Sequence, residues 1–182
     1  MRDVVIRERE ELSSEELERL LTWLEEAYDE GPWRWEHWSD LGTGPHAMLS
    51  DDDGTLLAHA CVDWVPVEID GRPVASGYLE DVATRKDARG RGYGTAVVRA
   101  AQREIERRAE IGFLATGGFG FYERLGWRRW TGPTAVAERD GSVTPTPDED
   151  GAIMALFLPQ TPSWVSSDMP IRRPRRDPEE AW

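Results

Sequence analysis

Apolar and polar positions alternate over residues 3–9, which predicts an opening strand, and Ser13-Ser14-Glu15-Glu16 then supplies the hydroxyl and carboxylate of a capping box. Leu17, Leu20, Leu21, Leu24 and Tyr28 recur at helical spacing behind it, so this helix shows one apolar stripe and is expected to run to Gly31-Pro32. Residues 33–45, rich in Trp, Gly and acid, have no period and read as a loop with a helical turn. Two strands follow at 46–50 and 56–67, joined by Asp51-Asp52-Asp53-Gly54, whose Asp-Gly pair favours hairpin geometry, and Asp70-Gly71 marks a second such turn. A strand through 78–84, a basic Gly-rich loop at 85–94, a helix with Val98, Ala101, Ile105 and Ala109 on one face, and a strand at 111–116 make a β-loop-α-β unit of the kind that builds parallel pairing. A helix at 119–125, a strand from Trp127, an acidic loop at 144–151 and an apolar strand at 152–158 complete the pattern. Residues 159–182 read as a Pro- and Arg-rich tail.

The pattern is that of an α/β (α+β) fold, and 182 residues suffice for a single domain with one sizeable core. Nowhere do about 18 apolar residues run together, and the opening segment has charges inside its only apolar stretch, so neither a membrane span nor an export signal is expected. Cys61 is the only cysteine, which rules out an intramolecular disulfide and a Cys-based zinc cluster; it reads as a small core residue in a cytoplasmic enzyme that holds no metal. A formal charge of −13 repels nucleic acid and attracts cationic ligands, although an evenly acidic, solubilising surface has the same composition. The oligomeric state stays open, a homodimer included.

Arg89-Gly90-Arg91-Gly92-Tyr93-Gly94-Thr95 stands between a strand and an amphipathic helix. Glycines there let the backbone approach a ligand closely, and the N–H groups opening a helix can cradle a pyrophosphate beside the two arginines. This spacing resembles the Arg/Gln-x-x-Gly-x-Gly/Ala acetyl-CoA loop of GNAT-superfamily N-acetyltransferases, and Phe121-Tyr122-Glu123-Arg124-Leu125-Gly126-Trp127 is similar to their Phe-Tyr-x-x-Leu-Gly-Phe segment. The resemblance covers roughly residues 3–158. It implies a mixed, mostly antiparallel central sheet flanked by helices, whose fourth and fifth strands splay apart to admit the pantetheine arm. Within the superfamily, Gly77-Tyr78-Leu79-Glu80-Asp81-Val82-Ala83-Thr84-Arg85, Trp130-x-Gly132-Pro133-Thr134, Thr144-x-Thr146-Pro147-Asp148-Glu149-Asp150-Gly151 and a terminal Trp182 resemble aminoglycoside 2′-N-acetyltransferases.

The resemblance implies the following roles. Glu80 deprotonates the substrate amine through water, the Val82 N–H binds the thioester oxygen, and Tyr122 protonates the departing thiolate. Backbone groups of Asp81, Val82 and Thr84 hold the pantetheine as an added strand, while residues 89–95 hold the pyrophosphate. A polycationic aminosugar needs several carboxylates, which Glu36, Asp40, Glu80, Asp148, Glu149, Asp150 and Glu180 offer together with the carboxylate of Trp182, the tail folding back toward the substrate site. The implied activity is acetylation of the 2′-amine of a gentamicin- or kasugamycin-type aminoglycoside, conferring resistance. Asp81 departs from the usual Gly, and the tail brings Arg172, Arg173, Arg175 and Arg176, which either repel a cationic substrate or pair with acidic clusters. Two other readings stay open. One is a GNAT enzyme for another amine, such as a polyamine, an amino-acid derivative or a protein N-terminus; the other is a non-catalytic acyl-CoA-binding module, which would need neither Glu80 nor Tyr122.

Overall fold

The opening alternation forms β1 (Val5–Arg7), and the capping box starts α1 (Ser14–Ala27): the Ser13 hydroxyl accepts from the Glu16 N–H while the Glu16 carboxylate accepts from the Ser13 N–H. The structure, a computed structural model, describes residues 3–28, 42–175 and 182. Its helix stops earlier than the apolar stripe implies. Tyr28 is already extended, with φ −82° and ψ 135°, because its hydroxyl donates to the Val82 carbonyl at 3.3 Å instead of extending the stripe.

By contact pattern the chain forms two units, residues 1–63 with 79–104 and residues 64–78 with 105–182. The first contains β1, α1, β2 (His46–Ser50), nearly all of β3 (Leu56–Trp64), the later part of β6 (Ser76–Thr84) and most of α2 (Tyr93–Arg108). Its strands are hydrogen-bonded in the order β1-β2-β3-β6, with Val5 opposite Met48 and His46 opposite Cys61. The Asp51–Gly54 turn joins β2 to β3 as expected, with Gly54 at φ 82°. Leu17, Leu20, Leu21, Leu24 and Ala27 of α1 close over Leu12 and Ala83 in this unit's own core. Each fully buried leucine stabilises it by about 1.5–3 kcal/mol.

The second unit takes the rest: β4 (Val67–Ile69), β5 (Arg72–Val74), the start of β6, the end of α2, β7 (Ile111–Ala115), α3 (Phe119–Glu123), β8 (Arg128–Arg129), β9 (Thr134–Ala137), β10 (Val143–Pro145), β11 (Ile153–Phe157) and β12 (Ile171–Pro174). Two ladders run through it, β6-β7-β11-β8 and β10-β9-β12-β4-β5. The parallel pairing expected across the β-loop-α-β unit is present over Ser76↔Ile111 to Tyr78↔Phe113. Its core gathers Val67, Ile69, Tyr78, Phe113, Trp130, Ile153 and Ile171.

One expectation fails here. The strand expected over 56–67 is two strands in different ladders, broken at Val65-Pro66, where proline has no N–H for a ladder bond. The tail holds a strand that its composition did not announce: β12 pairs parallel with β9 and antiparallel with β4, bonds between residues too far apart in sequence to leave a local signal.

Candidate active site

In the first unit the last residues of β6 carry Glu80, Asp81, Val82 and Thr84, all half-buried. Asp81 sits at φ 50°, one of two described non-glycine residues with a left-handed backbone. That conformation costs an L-residue about 1–2 kcal/mol, which explains why the resembling family prefers Gly there. Neighbouring β3 holds the strained residue in place. The His59 ring donates from Nδ1 to the Asp81 carbonyl at 2.8 Å, and the Cys61 thiol donates to the Asp81 carboxylate at 3.3 Å. Burial above all, with the Asp81 charge next, pushes the Cys61 thiol well up, so it stays a protonated donor and not a nucleophile.

The glycine-rich loop follows. Gly90 at φ 77° and Gly92 at φ 83° require glycine for their backbone conformation, since no neighbouring atom lies within 4 Å of where a Cβ would stand. The carbonyl of Gly92 accepts from the Ala96 N–H at 3.0 Å and so closes the first turn of α2. Arg91 is exposed, as the expected anion-facing position requires. Arg89 does something the sequence did not suggest: its guanidinium donates to the Ala27 carbonyl at 2.7 Å and to the Thr84 carbonyl at 3.2 Å. A cation at the last carbonyls of α1 satisfies orphan acceptors and complements the helix dipole, so Arg89 ties the loop to the end of that helix. Tyr93, Gly94 and Thr95 form the first turn of α2.

The second unit holds Tyr122 on α3, with its ring edge-on to Phe121 at 4.9 Å and to Trp127 at 6.4 Å. Desolvation pushes the Tyr122 phenol up to about 12, so it keeps its proton throughout the neutral range. In the late loop Asp148 is exposed and Glu149 half-buried. Asp150 has a structural task, since one carboxylate oxygen accepts from the Thr134 N–H at 2.8 Å and from its hydroxyl at 2.9 Å. Glu36, Asp40 and Glu180 lie outside the described residues.

The Trp130-x-Gly132-Pro133-Thr134 string works as a clamp on the tail. Trp130 is fully buried and its indole N–H donates to the Met169 carbonyl at 2.9 Å, while the N–H groups of Thr131 and Gly132 both donate to the Ser167 carbonyl at 2.7 and 2.9 Å. Gly132 passes so close to Met169 that a Cβ would stand 1.9 Å from its carbonyl oxygen. Thr134 and Thr146 share a hydroxyl–hydroxyl bond of 2.7 Å, and the Trp182 indole N–H donates to the Thr146 hydroxyl at 3.1 Å. Two of the tail arginines are paired, with partners other than the expected acidic clusters, and Arg176 lies outside the described residues. Arg172 meets Glu68 at 2.5 Å, Arg175 meets Glu138 at 2.8 Å, and Arg173 lies buried over the rings of Tyr78 and Trp182. Sequence reasoning missed the burial of Arg173, the hydrogen bond of Tyr28 and the buried histidines; the signal for His46 and His59 was a polar ring inside each of two largely apolar strands.

Residues 9–127 match the Acetyltransferase (GNAT) family. An "Aminoglycoside 2'-N-acetyltransferase" of Mycolicibacterium fortuitum is 37% identical over 124 residues, which make up 67% of this chain and 61% of that protein's length. Among solved structures, the GNAT family N-acetyltransferase YhbS of Escherichia coli, in complex with CoA, superposes with a TM-score of 0.68 at 14% identity over 95% of this chain and 91% of that one. A probable N-acyltransferase from Enterococcus faecalis V583 gives a TM-score of 0.58 at 18% identity, covering 71% of this chain but 33% of its own. With the family match spanning more than half of the sequence and the same fold in these structures, the chain belongs to the GNAT acetyltransferase family.

Proposed function

We propose that the protein transfers the acetyl group of acetyl-CoA to an amine of a cationic aminosugar, the 2′-amine of an aminoglycoside. The observation that carries the substrate half is the clamp. Three of the four strings that resemble the aminoglycoside branch converge on one hydrogen-bonded group, Thr134, Thr146 and Trp182, and the Trp182 side chain is thereby docked. The 37% identical relative bearing that name supports the same reading. Pairing of Arg172 with Glu68 and of Arg175 with Glu138 offsets two of the tail's positive charges and so weakens the objection that the tail would repel a cation.

Acetyl-CoA supplies the activated acetyl thioester. Residues 89–95 hold its pyrophosphate on the N-terminal N–H groups of α2, with Arg91 adding charge. Glu80 accepts the amine proton through water, and the Val82 N–H donates to the carbonyl oxygen as negative charge develops on it. Tyr122 donates its proton toward the departing sulfur. A phenol near 12 is a weaker acid than a thiol near 8.5, so Tyr122 is fully protonated when the thiolate leaves, and the proton it gives up is replaced by the one that Glu80 took from the amine. The carboxylates assigned to the ammonium groups are those of Asp148, Glu149 and Trp182, with Asp150 holding the loop; the resemblance adds Glu36, Asp40 and Glu180, which lie outside the described residues.

A thiol-release assay with acetyl-CoA across aminoglycosides, polyamines and peptides tests the reading. Release with aminosugars alone supports it. Release with peptides or polyamines instead assigns another amine, and binding of acetyl-CoA with no release to any acceptor reduces the protein to an acyl-CoA-binding module.

A further inference from the structure

His46 and His59 are completely buried, one on each of two adjacent strands, and their rings touch through His46 Nδ1 and His59 Nε2 at 2.9 Å. At the far end His59 Nδ1 reaches the Asp81 carbonyl. A carbonyl only accepts, so His59 carries its proton on Nδ1. Burial lowers the pKa of His59 to about 3 and of His46 to about 4, which keeps both rings neutral. His59 Nε2 is then a bare acceptor, and His46 donates to it from Nδ1. The two rings therefore form a one-way chain of donors ending on a single backbone oxygen.

That oxygen belongs to the peptide joining Asp81 to Val82. In a planar trans peptide the C=O and the N–H point in opposite directions, so whatever holds the Asp81 carbonyl toward His59 turns the Val82 N–H to the other side of the strand. The left-handed backbone at Asp81 departs from the extended conformation of the rest of the strand, and side chains from β3 hold it there. Tyr28 fixes the next carbonyl, that of Val82, from a third element.

We propose that His59, aligned by His46, is a positioning residue that orients the Asp81–Val82 peptide so that the Val82 N–H is presented to the thioester oxygen of acetyl-CoA. This inference rests on the donor role given to Val82 above. It explains why two polar rings are retained in an apolar interior, where burying them carries a desolvation cost.

Two amide substitutions separate orientation from packing. Asn places its N–H₂ where His59 has Nδ1, facing Asp81; Gln places it where His59 has Nε2, facing His46. His59→Gln is expected to lower kcat about 10- to 100-fold, at or below the effect of deleting an oxyanion donor outright, with the KM for acetyl-CoA within about 3-fold of the parent. His59→Asn should restore kcat to within about 3-fold. In ¹⁵N-labelled protein the Val82 amide resonance should respond to acetyl-CoA more than to CoA, with the difference lost in His59→Gln and kept in His59→Asn. Parent-like turnover in His59→Gln, equal loss in both variants, failure of both to fold, or no acetyl-specific response at Val82 in the parent each overturns the proposal. If the parent transfers acetyl to no amine while its Val82 response behaves as stated, the enzymatic reading fails and the positioning role stands.

Discussion

Acidification should weaken this protein through the same histidine pair, by an amount that can be worked out. Histidines in an unfolded chain titrate near 6.5, whereas burial lowers His46 to about 4 and His59 to about 3. For His46 the nearby Arg9 charge adds to burial, with the Gly42 backbone and Glu8 opposing; for His59 it is His46 that adds, with the Asp81 backbone opposing. A depressed folded pKa means that the unfolded chain binds more protons below pH 6.5, so stability rises with pH there. The contribution is complete above about pH 6.5 and is lost as the pH falls toward the folded values. From about pH 6.5 to about pH 5 two rings gain charge only on unfolding, and at about 1.36 kcal/mol per proton per pH unit, with the unfolded rings half-protonated at the start of that range, this removes about 3 kcal/mol. That is a large part of the stability of an ordinary domain, about 5–15 kcal/mol. Urea unfolding followed by tryptophan fluorescence at several pH values, compared with the double variant His46→Asn/His59→Asn, isolates the effect, because carboxylates and His37 are common to both proteins. The parent slope near pH 5 should exceed that of the variant by about two protons, roughly 2.7 kcal/mol per pH unit. Equal slopes would refute the neutral, buried pair.

Four further outcomes are expected. Gly92→Asp, which puts a side chain and a negative charge at φ 83°, should abolish acetyl-CoA binding in calorimetry while leaving the fold intact by circular dichroism. Tyr122→Phe should lower kcat by about 10²–10⁴-fold with little change in acetyl-CoA affinity, and the parent kcat should show no alkaline fall below about pH 10, because the phenol holds its proton up to about 12. Removing residues 179–182 should raise the KM for the amine by about ten- to a hundred-fold, less in high salt, and leave acetyl-CoA binding unchanged; identical constants at two ionic strengths would dismiss a substrate role for Trp182. Gly132→Ala should lower thermal stability by more than about 2 kcal/mol, since its Cβ meets backbone at 1.9 Å and the two bonds to Ser167 must open; an unchanged Tm would discount the clamp.

What the sequence determined by itself was local. The Ser13–Glu16 capping box, the Asp51–Gly54 turn and the glycines at 90 and 92 each depend on a few consecutive residues, whose φ preferences and hydrogen-bonding side chains act within one turn of chain. Motif spacing added the family and its loop. Tertiary structure decided the rest, because the partners lie far apart along the chain and leave no period to read. Pairing of β12 with β9 turned a Pro- and Arg-rich tail into a strand, and Arg89 found its acceptor at Ala27. Asp81 illustrates the division best: the sequence marked it only as an unusual residue at a glycine position. Its left-handed turn is held by a ring and a thiol from β3, so the direction of the Val82 N–H is fixed by residues some twenty positions away.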